Sequence, residues 1–153
     1  MPVVAWMLVI SFASTDLMSA AHTSRFIVPF FTWLIPEISE PALATIQLLL
    51  RKAAHVTEYA ILAGLLARAL FYGCGGAALS AFLQPLLIAS CYAVLDEFHQ
   101  SFVASRTASP FDVIIDTCGA IIGLVLYWIL AQRHLPEKAN GEANQKSEIR
   151  NQK

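Results

Sequence analysis

Residues Ala77 to Gln100 read AALSAFLQPLLIASCYAVLDEFHQ. An apolar run from Ala77 to Leu95 ends directly on Asp96, Glu97, His99 and Gln100. The run approaches the ~20 residues that carry an α-helix across about 30 Å of hydrocarbon. Charge beside hydrocarbon is costly, so an ionisable cluster kept at such a mouth is expected to mark a site.

Two further segments fit the same description. Thr57 to Tyr72 reaches spanning length with the turn from Lys52 to Val56, and Val113 to Ala131 does so alone. Hydrophobic residues make up 57% of the 153 positions and charged residues 14%, against about 25% charged in a soluble domain. Mean hydropathy is +0.60. The expected fold is all-α, a polytopic transmembrane helical bundle of four spans with an interfacial segment after the first. A net charge of -1 offers no basic field for nucleic acid, and there is neither a phosphate loop nor a dinucleotide fingerprint.

The first of the four spans is Val3 to Ala13, with a cleaved or interfacial segment as the alternative: it is apolar but without the basic flank of a signal peptide and weakened by Ser11, Ser14, Thr15 and Asp16. Val28 to Pro36 suits an interfacial hairpin or short helix, because prolines and aromatics punctuate it. Pro41 to Leu50 is amphipathic, and either lies on the membrane surface or extends the second span. Residues 1–132 therefore form the transmembrane domain. Residues 133–153 hold five Lys or Arg against three acids and read as a flexible polar cytoplasmic tail. Both termini are then cytoplasmic and the polar mouths face outward, although Arg51 and Lys52 run against this bias. Cys74, Cys91 and Cys118 show no CxxC spacing and read as small fillers in packed helices.

Helical spacing groups the polar residues. His55, Glu58 and Tyr59 share one face of the second span, as do Asp96, His99 and Gln100 at the end of the third, beside Glu97. Asp112 and Asp116 repeat the spacing at the start of the fourth. In an up-down bundle these faces converge on one side of the membrane. Arg106 is expected to bridge Asp96, Glu97 or Asp112 as a latch. Ser109 reads as an N-cap with Pro110 at the first helical position. Asp116, one turn deeper than Asp112, is the stronger marker of a buried polar network. The candidate polar site is thus His55, Glu58, Tyr59, Asp96, Glu97, His99, Gln100, Arg106, Asp112 and Asp116. Gly119 and Gly123, and the stripe Ala60, Ala63, Gly64 and Ala67, read as helix contact surfaces.

Several chemistries fit this inventory. The histidines and carboxylates are suitable metal ligands, but His55-Val56-Thr57-Glu58-Tyr59 is not an HExxH motif, and no metal or cofactor is expected. A histidine with a carboxylate could transfer protons. Ser101, Ser105 and Ser109 lack a nucleophile elbow, so no catalytic residue is assigned. The other classes are a structural bundle, binding of a polar head group without chemistry, and transport; the inner end offers no matching polar pathway for the last.

Lys52, His55 and Tyr59, then Leu95-Asp96-Glu97-Phe98-His99-Gln100-Ser101-Phe102, then Arg106, Asp112, Gly119 and Gly123 resemble the VanZ-like family of small bacterial membrane proteins. The resemblance covers roughly Arg51 to Ile129. It departs at Thr57-Glu58, where the family more often continues with aromatic or small residues. It implies a multi-pass protein of the bacterial cytoplasmic membrane. The family's founding member is associated with low-level resistance to teicoplanin, a lipid-bearing glycopeptide. The expected function is binding or helping to process an amphiphilic cell-envelope component, with a lipid-linked or glycopeptide ligand as partner. Homo-oligomerisation stays open.

Overall fold

The computed structural model describes residues 2–15, 20–71, 78–103 and 109–151. They form five α-helices: α1 (Pro2–Ala13), α2 (Ala20–Leu34), α3 (Glu40–Phe71), α4 (Ala78–Gln100) and α5 (Pro110–Asn151), with no strand among the described residues. Local chemistry sets several ends. Glu40 occupies the first turn of α3 and Arg68 its last, each sign complementing the helix dipole. α4 closes with a tightening of its last turn, where Phe102 N donates to His99 O at 3.1 Å and Val103 N to Gln100 O at 3.0 Å. Ser109 caps α5 as expected: its Oγ accepts from Phe111 N at 3.3 Å and Pro110 takes the first helical position.

The protein is an all-α polytopic bundle. Glu40–Phe71, Leu79–Gln100 and Pro110–Ala131 have the length and apolarity to cross a membrane. The expected first span does not reach that length: α1 has 12 residues, about 18 Å at 1.5 Å per residue. Its polar continuation through Ser14 and Thr15 turns out of the helix. Pro41 to Leu50 extends the next span instead of lying apart from it, because α3 is one helix of 32 residues, about 48 Å long. The proline- and aromatic-rich stretch becomes the short helix α2, with Pro29 inside it. The segment after Ala131, expected as a flexible tail, has a helical backbone to Asn151. Ala, Glu, Gln and Lys in this stretch are good helix formers, whereas Pro136 and Gly141 oppose a helix.

Parallel packing of α3 and α5 dominates the bundle. Lys52 meets Asp112, His55 meets Asp116, Val56 meets Gly119 and Ala60 meets Gly123, so residue numbers rise together along both helices. The contact is close because α5 is bare there: a Cβ on Gly119 would lie 2.6 Å from Val56 O, and one on Gly123 2.0 Å from Ala60 O. Ala63 and Ala67 are buried as expected, while Gly64 has open space beside it. α4 runs antiparallel to this pair and carries Pro85 buried within it. α1 lies alongside α3 and α4. Ile10, Tyr59, Leu62, Ala93, Ala120 and Leu124 belong to one buried cluster.

Large apolar side chains such as Leu8, Leu87 and Leu126 face outward, as lipid solvation requires. Cys91 and Cys118 are exposed too, and so do not fill packed interfaces; Cys74 lies outside the described residues.

Candidate functional site

The parallel register of α3 and α5 stacks two ionisable pairs. Lys52 Nζ donates to Asp112 Oδ1, and Arg51 Nη2 stands 3.6 Å from Asp112 Oδ2. One turn deeper, His55 Nδ1 lies 3.2 Å from Asp116 Oδ1. That approach is close enough for an ion pair, but the ring is not aligned for a directed hydrogen bond. Arg51 and Lys52, which opposed the charge bias in the sequence, are therefore the cations that face Asp112.

α4 contributes a second layer. Asp96 Oδ2 accepts from Ser14 Oγ at 2.8 Å and from Gln100 Nε2 at 2.9 Å, and Gln100 Nε2 also reaches Ser14 Oγ at 3.3 Å. Glu97 Oε1 accepts the backbone N–H of Ser109. This bond ties the end of α4 to the start of α5, the closure expected of a latch through Arg106. Arg106 itself lies outside the described residues.

Of the expected site residues, His55, Tyr59, Asp96, Glu97, Gln100, Asp112 and Asp116 are all buried at this end of the bundle. Glu58 is half-buried and His99 is exposed. Helical phase explains the last difference. At 3.6 residues per turn, Gln100 sits about 40° from Asp96 on one side, whereas His99 sits about 60° away on the other, beyond the packed face.

Four participants were not expected. Ser14, read as a weakness in the first span, is buried and caps the Asp96 carboxylate. Tyr92 donates its hydroxyl to Met7 O at 2.7 Å and so accepts from Ser11 Oγ at 2.8 Å. Trp6 Nε1 donates to Glu58 O at 2.9 Å. Together these bonds set α1 parallel to α4 and against α3. Their signal in the sequence is faint: Tyr92, Asp96 and Gln100 share a face at intervals of four, and Ser11 and Ser14 lie three apart.

A cavity of about 280 Å³ opens between α1, α2 and α3. Ser14, Thr23, Gln47, Arg51, His55 and Glu58 supply its polar lining. Ile27, Leu50 and Ala54 contribute apolar wall. His55 joins the two features, bordering the cavity while its Nδ1 meets Asp116. The described residues contain no group of three or more His, Cys, Asp or Glu placed to hold a metal ion.

The family model for VanZ/LLP1 matches residues 1–131. The chain belongs to the VanZ/LLP1 family. The family region takes in α1 to α4, α5 through Ala131 and every residue of the polar cluster. It is thus wider than the resemblance seen from Arg51 to Ile129, and includes Trp6, Ser11 and Ser14, which complete the VanZ-like bundle. No curated protein and no solved structure matches the chain.

Proposed function

We propose that this VanZ-like protein is a multi-pass protein of the bacterial cytoplasmic membrane whose polar site faces outward and binds the head group of an amphiphilic cell-envelope component. The cavity between α1, α2 and α3 carries this reading. It combines Arg51, His55, Glu58 and Gln47 with an apolar wall, the mixture expected where a few polar groups orient a largely apolar ligand. The family's founding member, associated with tolerance of a lipid-bearing glycopeptide, is in keeping with such a ligand class.

Filling the cavity tests the reading. The variant Ala54→Trp should keep the fold in detergent and lose most cross-linking to a photoreactive single-chain amphiphile. Equal labelling of the filled and native proteins, at sites away from the cavity, sinks the proposal. For sidedness, Ser101→Cys and Ala139→Cys are introduced separately after removal of the native cysteines. An impermeant thiol reagent should label the first in intact cells and the second only in inverted vesicles.

A structural module is the second reading. It is favoured by the Lys52–Asp112 and His55–Asp116 pairs, which join α3 to α5 without any ligand. It predicts that charge-removing variants lower thermal stability equally with and without amphiphile.

A further inference from the structure

We propose that the cavity selects a zwitterionic head group carrying a phosphate and a primary ammonium, with Arg51 as the phosphate contact and Glu58 as the ammonium contact. This inference rests on the head-group reading above and adds its charge class. Arg51 and Glu58 line the same cavity from one helix. Seven residues apart, they fall on one face of α3, about 10.5 Å apart along its axis. A head group between them meets a cation at one end and a carboxylate at the other. A purely anionic group would gain Arg51 and be opposed by Glu58; a purely cationic one would meet the reverse.

Arg51 retains donor capacity for this role. Lys52 is the cation hydrogen-bonded to Asp112, while Arg51 Nη2 stays 3.6 Å from that carboxylate and Arg51 Nε is buried without a hydrogen bond. A guanidinium has five donors in a planar fork suited to phosphate oxygens. His55 lies between Arg51 and Glu58 in sequence, borders the same space and is held by Asp116. Gln47, one turn before Arg51, adds an uncharged donor and acceptor. The volume of about 280 Å³ lies just below the range of ~300–1,000 Å³ for whole small-molecule sites. It accommodates a head group, leaving the hydrocarbon chain outside, where Leu50 of the apolar wall is 45% exposed.

The test uses the full chain in neutral maltoside micelles and single-chain lipids of equal tail length, bearing phosphoethanolamine, phosphoglycerol or trimethylammonium heads. The phosphoethanolamine lipid should bind about tenfold more tightly than either of the others, roughly the worth of one charge-assisted hydrogen bond. Glu58→Gln should abolish the preference over phosphoglycerol while retaining phosphoglycerol binding. Arg51→Gln should weaken both phosphate-bearing lipids, with Arg51→Lys partly restoring them if the fold is kept. Equal binding of phosphoethanolamine and phosphoglycerol by the native protein, or an unchanged preference in folded Glu58→Gln, overturns the charge assignment while leaving head-group binding intact. Failure of all three lipids to bind in a manner sensitive to Ala54→Trp overturns both readings.

Discussion

Gly123 of α5 lies so close to Ala60 of α3 that a Cβ placed on it would come within 2.0 Å of the Ala60 carbonyl oxygen. This backbone contact, with Gly119 against Val56 one turn earlier, holds α3 and α5 in the register that brings Lys52 to Asp112 and His55 to Asp116. A side chain at Gly123 must push the helices apart. Gly123→Ala is therefore expected to destabilise the protein by about 1–3 kcal/mol, the usual range for overpacking. Gly64→Ala should be neutral or stabilising, since nothing lies within 4 Å of its added Cβ. Thermal unfolding of both variants in the same detergent checks the contrast; equal losses would contradict the packing.

Asp112 is buried and faces two cations, whereas Lys52 is the one hydrogen-bonded to it. Losing the carboxylate strands Lys52 beside Arg51, while losing Lys52 leaves Arg51 as a neighbouring countercharge. Asp112→Asn should thus lower the unfolding midpoint more than Lys52→Met. Its cost should stay below the ~3–5 kcal/mol of breaking a fully buried pair, because the Lys52 and Arg51 side chains are each 25% exposed. The reverse order would show that Arg51 does not compensate.

His55 and Asp116 are each almost wholly buried, at 5% and 1% exposure. Removing either leaves the other in a poorly solvating interior, so His55→Leu and Asp116→Leu are each expected to destabilise strongly. The double variant should be more stable than the sum of the single losses predicts, as removal of a whole buried pair often is. Additive losses in a double-mutant cycle would mean that the 3.2 Å approach carries no coupling.

Ser14 is the hydroxyl that brings the end of α1 to α4. Ser14→Ala removes its bond to Asp96 at 2.8 Å and should cost about 1.5–3 kcal/mol, the range for hydrogen bonds to charged groups. Ser14→Thr should retain most of that stability, and proteolytic susceptibility near Ala13 should increase only in the alanine variant. A Ser14→Ala protein as stable as the native one would show that α1 docks through its apolar contacts with the core alone.

Much of the fold was legible in one dimension because lipid imposes a one-dimensional demand. A chain that crosses hydrocarbon must satisfy its backbone within continuous apolar helices, and the runs ending at Tyr72, Leu95 and Ala131 display that directly. The small-residue spacing of Gly119 and Gly123 and the cap at Ser109 were visible for the same reason, since each is a local pattern. The convergence of His55, Asp96, Asp112 and Asp116 followed from alternating helix direction. Family membership was legible through the spacing of these same residues.

Other features depended on distances between helices that a sequence does not contain. Arg51 and Lys52 looked like misplaced surface charge until the parallel register put Asp112 beside them. Ser11, Ser14 and Tyr92 looked like minor blemishes in apolar runs, because their partners lie 82, 81 and 85 positions away in the order Ser14–Asp96, Ser11–Tyr92 and Met7–Tyr92. The cavity required three helices to meet. Composition and periodicity by themselves determined an apolar helical chain with polar mouths; only the tertiary structure decided which charges pair, that α1 completes the site and that His99 stays outside it. The physical reason is that hydrophobicity and helical phase act along the chain, whereas pairing and cavity shape arise only when the helices pack.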